Sequence, residues 1–513
     1  MQSIWQTTTK LDEFARLERD ATVDVCVIGA GIAGMMTAYS LARAGKRVLV
    51  LEDGRVGSGE TGRSTAHLTA ALDDRYWRIE HLHGTDGARM AAQSHMAAIN
   101  RAEEVIRAEY IDCGFQRVDG YLFAPESRSF SEHRERMQKE LEVAHRAGLS
   151  DVKLREKAPL EFWDTGLVLH FPRQAQFQPL KFLGGLAHCI VRDGGRIYEN
   201  THVEGVEGGT PARARTSSGK TVTAGAIVVC TNSSISDYWI THIKQAPYRT
   251  FVVAATISKG SVPAGLYWDD DDPYHYLRVA DGGNPLSDWL IVGGEDHKTG
   301  HHDDAERRLS ALEDWTRIRF PEVGRFTHRW SGQVLEPFDC LSFTGQTPDG
   351  SENIYMHSGD SGNGITHGIM AGHLLTDLIL GRENPWAALY DPKRISFGMA
   401  PQFLRENLDV AVQFKDYMVP GDVRDENDIP TGEGRVMLRD RKRIAAYRDP
   451  LGAVHHHSAV CTHLKCVVHW NSLEKSWDCP CHGSRFDPYG EVLNGPALTP
   501  LEAVHLPEPA HGD

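Results

Sequence analysis

Residues 23–52 read "VDVCVIGAGIAGMMTAYSLARAGKRVLVLE", and the fold class follows from them. "VDVCVI" (23–28) is a short apolar run rich in β-branched residues, the composition of a strand buried on both faces. "GAGIAG" (29–34) comes next. "MMTAYSLARAG" then carries helical periodicity and stops at Gly45, a helix C-terminal signal. "RVLVLE" is a second strand, so the unit is βαβ. Its G-x-G-x-x-G turn has the strand before it and the helix after it that give the motif meaning. Gly29 permits a tight turn, Gly31 lets backbone approach a pyrophosphate, and Gly34 lets helix pack closely on strand. The free N–H groups and partial positive charge of the helix start suit phosphates. Glu52 ends the second strand, where a carboxylate can bind ribose hydroxyls. The turn alone does not tell one dinucleotide from another.

Working outward, 513 residues are too many for one ordinary core, so two or three domains are expected. The composition, 41% hydrophobic and 24% charged, is that of a folded globular protein. A net charge of -15 argues against a nucleic-acid binder, which needs clustered Lys and Arg. The first twenty residues contain no apolar signal segment, and no apolar run approaches membrane-spanning length. The expectation is a cytoplasmic protein with no membrane span and no nucleic-acid partner. Cys26, Cys113, Cys189, Cys230 and Cys340 are scattered and read as buried thiols. Residues 85–150 look helical; strand-like runs occupy 196–230 and 247–293; "DDDD" (269–272) reads as a solvated loop. Residues 353–381 read strand, glycine turn, then helix from about Thr366. Residues 396–430 read as a linker, and 431–513 as a separate small β domain with a turn at "DPLG".

Three stretches carry a resemblance. "VGSGETGRSTAHLTA" (56–70), "TGQTPDG" (344–350) and "GDSGNGITHGIMAG" (359–372) resemble the flavoprotein oxidoreductases of the D-amino-acid oxidase and glycine oxidase group, over roughly residues 20–395. That resemblance implies an α/β Rossmann-like FAD-binding domain, near 20–100, 150–240 and 325–395. It implies a β-sheet substrate domain near 100–150 and 245–325. FAD would be held by Gly29, Gly31, Gly34 and Glu52. Arg63 and Ser64 would lie near the pyrophosphate or flavin, and Val203 by the adenine. Gly362 and Gly364 let backbone approach a planar ring. Ile365 and Thr366 begin a helix whose positive end would stabilise an anionic reduced ring. "STAH" resembles the ST-x-H of dimethylglycine dehydrogenase, whose His bonds flavin covalently. The following "LT" departs from that family's small residues, so for His67 a covalent bond, a noncovalent contact and a plain buried histidine all stay open. The implied substrate is an amine or amino acid. Tyr276, Arg278 and Arg249 are the candidates to grip a carboxylate, and no base is evident.

Near the C-terminus stand "CTHLKC" (461–466) and "CPCHGS" (479–484). The pattern C-x-H…C-x-x-H offers two thiolates and two imidazoles on two loops, a set used by [2Fe–2S] centres with two His on one iron. Tetrahedral zinc accepts the same residue types. Six potential ligands exceed what zinc needs, and "HGS" and "GPA" have no zinc rationale. These stretches, with "NGPALTPL" (494–501), resemble the Rieske domains of cytochrome bc complexes and related ferredoxins, over about residues 431–505. The resemblance implies that Cys461 and Cys479 bind one iron and His463 and His482 the other. It implies a disulfide between Cys466 and Cys481, and a hydrogen bond from Ser484 to a cluster sulfur. High-potential members carry Tyr where Phe486 stands here, which implies a lower potential. His455, His456 and His457 read as exposed and not ligands.

Together the two resemblances imply an enzyme that oxidises a small substrate, passes electrons from FAD to its own cluster, and hands them to an external acceptor. A reversed flow, with a donor protein reducing the cluster, and a non-enzymatic electron-transfer or redox-sensing role are the alternatives.

Overall fold

A computed structural model describes residues 1–125, 128–235, 239–395 and 420–505 of the chain. The opening apolar run becomes the strand Ala21–Ile28, inside an eight-stranded sheet. It pairs in parallel with Val48–Leu51 on one side and Thr221–Val229 on the other. Its residues Val25 to Ile28 are at most 3% exposed, as a strand covered on both faces requires. Arg196–Tyr198 and Ile354–Ser358 extend the parallel array, and Phe343–Gln346 closes it antiparallel. Helix Ile32–Arg43 lies against helix Gly364–Ile379, whose glycines let the two axes approach. A Cβ at Gly372 would stand 2.5 Å from Met36 Cβ, and one at Gly368 2.5 Å from Ile32 Cγ2. Burial of Met35, Met36 and Leu41 in this layer contributes about 1.5–3 kcal/mol for each side chain.

A second, nine-stranded sheet is mostly antiparallel and contains Gln245–Ser258, Leu266–Trp268, His275–Asp281 and Ser287–Lys298. It also takes in Val168–Gln176 and Phe326–Pro337, which the sequence reading assigned to the dinucleotide-binding core. Long strands of mixed burial serve either sheet equally well in sequence; partner strands far along the chain decide. The short strand His67–Leu68 joins its edge against Val168–Gln176. The "DDDD" run is a loop solvated only toward Asp272. Asp269 is 3% exposed and accepts from the His275 and Asp271 backbone N–H groups, and Asp270 pairs with Arg128 and Arg136.

The C-terminal domain comprises a three-stranded sheet, Glu433–Arg439, Lys442–Arg448 and Val454–Ser458, and a four-stranded one. The latter runs His469–Asn471, Ser476–Asp478, Arg485–Phe486, Val492–Asn494. Trp477 and Phe486, both 0% exposed, fill the small core between the sheets. The expected linker 396–430 divides. Residues 396–419 lie outside the described residues. Residues 420–430 pack onto this domain: Asp422 N–H donates to Val436 O at 2.7 Å, and Arg448 Nη2 to Glu426 O at 2.7 Å. Helix Gly364–Ile379 begins two residues earlier than the periodicity suggested, with Asn363 at its N-cap. No helix among the described residues is long and apolar enough to cross a membrane.

Candidate functional site

A cavity of about 730 Å³ runs from the glycine turn to the second sheet. Its mouth is built by the turn itself. Gly29 has φ +101°, and a Cβ there would stand 2.3 Å from Cys230 O. A Cβ at Gly34 would lie 1.9 Å from Gly29 O, so only glycine lets the helix sit on the turn. Gly31 caps helix Ile32–Arg43 without a side chain, leaving its N-terminus open to the cavity. Both Glu52 carboxylate oxygens line that end and accept backbone N–H groups, Ala30 at 2.7 Å and Gly54 at 2.9 Å. Burial pushes this carboxyl above its ordinary range, and the two N–H groups oppose that. Val203 is 4% exposed and lines the same end.

Further in, Arg63, Ser64, His67, Gly362, Gly364 and Ile365 line the cavity. Thr366 does not reach its wall; it is fully buried, and its hydroxyl accepts from Thr69 N–H at 3.0 Å. His67 Nδ1 meets Thr65 Oγ1 at 3.0 Å, while Nε2 is buried without a hydrogen-bond partner. Burial, reinforced by Arg278, pushes this imidazole down to about 3, so it is neutral. The floor on the second sheet is aromatic: Trp268, Tyr274 and Tyr276, the two tyrosines stacked at 5.4 Å between centroids. Tyr276 Oη is 2.9 Å from Thr250 Oγ1.

Two expected substrate contacts are elsewhere. Arg249 is 1% exposed and does not line the cavity; it pairs with Glu474 of the C-terminal domain at 3.2 Å and donates to Ser331 Oγ. Arg278 Nη1 donates to Ala66 O at 2.6 Å and Phe177 O at 3.2 Å, and its guanidinium lies 5.3 Å from the Trp5 ring centroid. Both guanidinium groups therefore hold elements together and are unavailable to a carboxylate in the cavity. Sequence reading also missed Asp73, which lines the cavity with its Oδ2 against Gly362. Its neighbourhood in the chain, "ALDDRY", gives no signal of that role.

The cysteine-histidine loops meet at one end of the C-terminal domain. Cys466 and Cys481 form a disulfide with a Cα–Cα distance of 6.5 Å, and Cys479 Sγ lies within 4.8 Å of both its sulfurs. Cys461 and Cys479 are free thiols, 1% and 2% exposed. Hydrogen bonds from Cys479 and from Ser484 bring the Cys461 thiol down to about 7, against the effect of burial. His482 is 6% exposed, burial pushes it down to about 3, and its Nδ1 makes no hydrogen bond. Two free thiols, a neutral imidazole with an idle ring nitrogen, and His463 at a ring distance of 5.1 Å from His482 suit a metal pair. Ser484 Oγ accepts from Ala497 N–H at 3.0 Å, which ties the 494–501 loop to the ligand loops. Phe486 lies in the core. His455 and His456 are half-buried and bound to Asp449 and Glu426, each at 3.0 Å, away from the ligand loops. His457, on the same strand, is also half-buried.

This end of the domain packs on the N-terminal part of the chain. The His242 ring of the N-terminal part is 5.1 Å from His463 and 6.5 Å from His482. Gln333 Nε2 donates to Gly483 O at 2.8 Å. Glu474 takes Arg63 at 3.2 Å, Arg249 at 3.2 Å and Arg485 at 3.0 Å, and Glu474, Arg485 and Val492–Asn494 complete the cavity wall.

Residues 24–378 match the FAD dependent oxidoreductase (DAO) family, and residues 420–505 match the Rieske [2Fe-2S] domain. The chain belongs to the FAD-dependent oxidoreductase family. It carries a C-terminal Rieske domain, and its cofactors are FAD and a [2Fe–2S] cluster. This oxidoreductase is 32% identical over 508 residues to a putative Rieske 2Fe-2S iron-sulfur protein, YhfW, of Bacillus subtilis (strain 168), covering 98% of each chain. It is 28% identical to the gamma-glutamylputrescine oxidoreductase of Escherichia coli (strain K12), over 73% of this chain and 88% of that one. Its fold is similar to that of glycine oxidase from Geobacillus kaustophilus, at TM-score 0.61 and 19% identity, over 73% of this chain and 99% of that one.

Proposed function

We propose that this oxidoreductase oxidises an amine or amino acid at its flavin and passes the electrons through its own Rieske cluster to an external acceptor. The observation that carries this reading is the shared wall: the cluster loops pack on the domain that contains the glycine turn, with His242 against His463 and His482. Gly29, Gly31, Gly34 and Glu52 would hold the dinucleotide, with Val203 at its adenine end and Arg63, Ser64 and His67 nearer its ring. Cys461, Cys479, His463 and His482 would hold the cluster. Bound there, FAD supplies a two-electron oxidation and the cluster one-electron carriage. The residues do the rest. The apolar and aromatic floor of Trp268, Tyr274 and Tyr276 excludes water from the reacting carbon, and the Thr250–Tyr276 hydrogen bond fixes the ring that covers it. Fusion replaces a diffusional encounter of two redox modules by fixed positioning. The similarity to the gamma-glutamylputrescine oxidoreductase supports an amine substrate.

Anaerobic addition of amines and amino acids to the purified protein tests this. Flavin bleaching followed by cluster reduction is expected, with about two irons per chain. Bleaching only in the presence of a reduced protein partner would reverse the direction, and zinc in place of iron would end the reading. Cys479→Ser should remove the cluster signal and leave substrate-driven flavin bleaching largely intact.

A further inference from the structure

The cavity's floor is chemically one-sided. Its lining side chains include no lysine among the described residues, and its two arginines, Arg63 and Arg485, are both engaged by Glu474. His67 is held neutral, His357 sits against Asp360 at 2.9 Å, and His202 is engaged by Asp53 at the adenine end. Among the described residues, and Met1 at the chain terminus aside, no cationic side chain of the lining is left unpaired to receive the carboxylate of an amino acid. The acids are arranged differently. Asp73 lines the cavity, and its Oδ2 stands where a Cβ on Gly362 would be, within 1.8 Å. No side chain among the described residues donates to that carboxylate; Arg75, beside it in sequence, donates to Leu72 O, Asp73 O and Asp269 O instead. Asp296 does not line the cavity, and Thr250 and Tyr274 hydrogen-bond to its carboxylate.

Resting on the reading above, we infer that the substrate is a cationic amine with no carboxylate on its reacting carbon, and that Asp73 selects it by pairing with its ammonium group over the Trp268–Tyr274–Tyr276 floor. A carboxylate that shares a cavity with aromatic rings is the complement of an alkylammonium ion, through charge and through the ring faces. Burial pushes Asp73 up to about 6, more than nearby Arg75 draws it down.

The test uses the holoprotein, with FAD and cluster content verified for each variant. Tetramethylammonium, which has no nitrogen lone pair to support oxidation, should perturb the flavin absorption band saturably, and acetate should not. Anaerobic alkylamines and diamines should bleach the flavin, while the corresponding α-amino acids should bleach it at least 10-fold less efficiently. Asp73→Asn should weaken both tetramethylammonium binding and amine half-saturation roughly 10- to 100-fold, with a smaller change in limiting rate, and Asp73→Glu should restore part of the affinity. Amino acids that bleach as well as their decarboxylated amines, or an unchanged Asp73→Asn titration, would overturn this inference and leave the oxidase reading standing. If dithionite alone bleaches the flavin and no amine or amino acid does, the proposed function falls and the inference falls with it.

Discussion

At the scale of single residues, the Rieske ligand loops offer a clean measurement. Ser484 hydrogen-bonds to the Cys461 sulfur and to Ala497 N–H at once. Hydrogen bonds to cluster sulfurs raise the reduction potential. Ser484→Ala should therefore lower the midpoint potential without loss of iron, as read by redox titration of the cluster's circular dichroism. The legible residues were those whose chemistry is local. Gly29, Gly31 and Gly34 act on backbone within a few positions, and Cys461, His463, Cys479 and His482 repeat a spacing that two loops impose. Arg249, Arg278 and Asp73 were not legible, because their roles depend on residues far along the chain. Arg63 and Glu474 are 411 positions apart, and no periodicity links them.

At the scale of elements, the turn between His469–Asn471 and Ser476–Asp478 fastens the two domains. It carries Glu474, 5% exposed at its side chain, into contact with three arginines. Burial opposes its ionisation, but Arg249, Arg485 and Arg63 more than offset this and hold its carboxyl well below the usual range. A carboxylate so depressed adds stability that is complete above its unfolded value of about 4.3, and that is lost as pH falls through the folded value. Domain docking should therefore weaken progressively below about pH 4, followed by flavin fluorescence. Glu474→Gln leaves Arg249 and Arg485 buried with less compensation and should destabilise the protein by roughly 3–5 kcal/mol in denaturant titrations. Strand existence was legible from β-branched runs. Sheet membership was not, since Val168–Gln176 and Phe326–Pro337 are assigned by their distant partners. The same holds for "DDDD": Asp270 reads as solvated until Arg128 and Arg136, over 130 positions away in sequence, are brought to it.

At the scale of the molecule, the two redox modules share one wall, so under the proposed function cluster reduction would be an intramolecular event. After rapid mixing with substrate, its rate should not change with protein concentration, as stopped-flow traces at several dilutions would reveal. A rate that rises in proportion to concentration would mean that electrons pass between chains. The net charge of -15 bears on the later step: a cationic acceptor should react faster than an anionic one, by a margin that salt erodes. His242 adds a consequence for that step. With this ring lying across His463 and His482, the imidazole tip of the cluster loops points into the protein's own body. Among the described residues, the ligand loops are most open where Leu464, 41% exposed, and Lys465 reach solvent, the flank by which an outside oxidant would approach. On the proposed direction of flow, such a half-shielded terminal would discourage stray discharge to small solutes and reserve the current for a partner shaped to that flank.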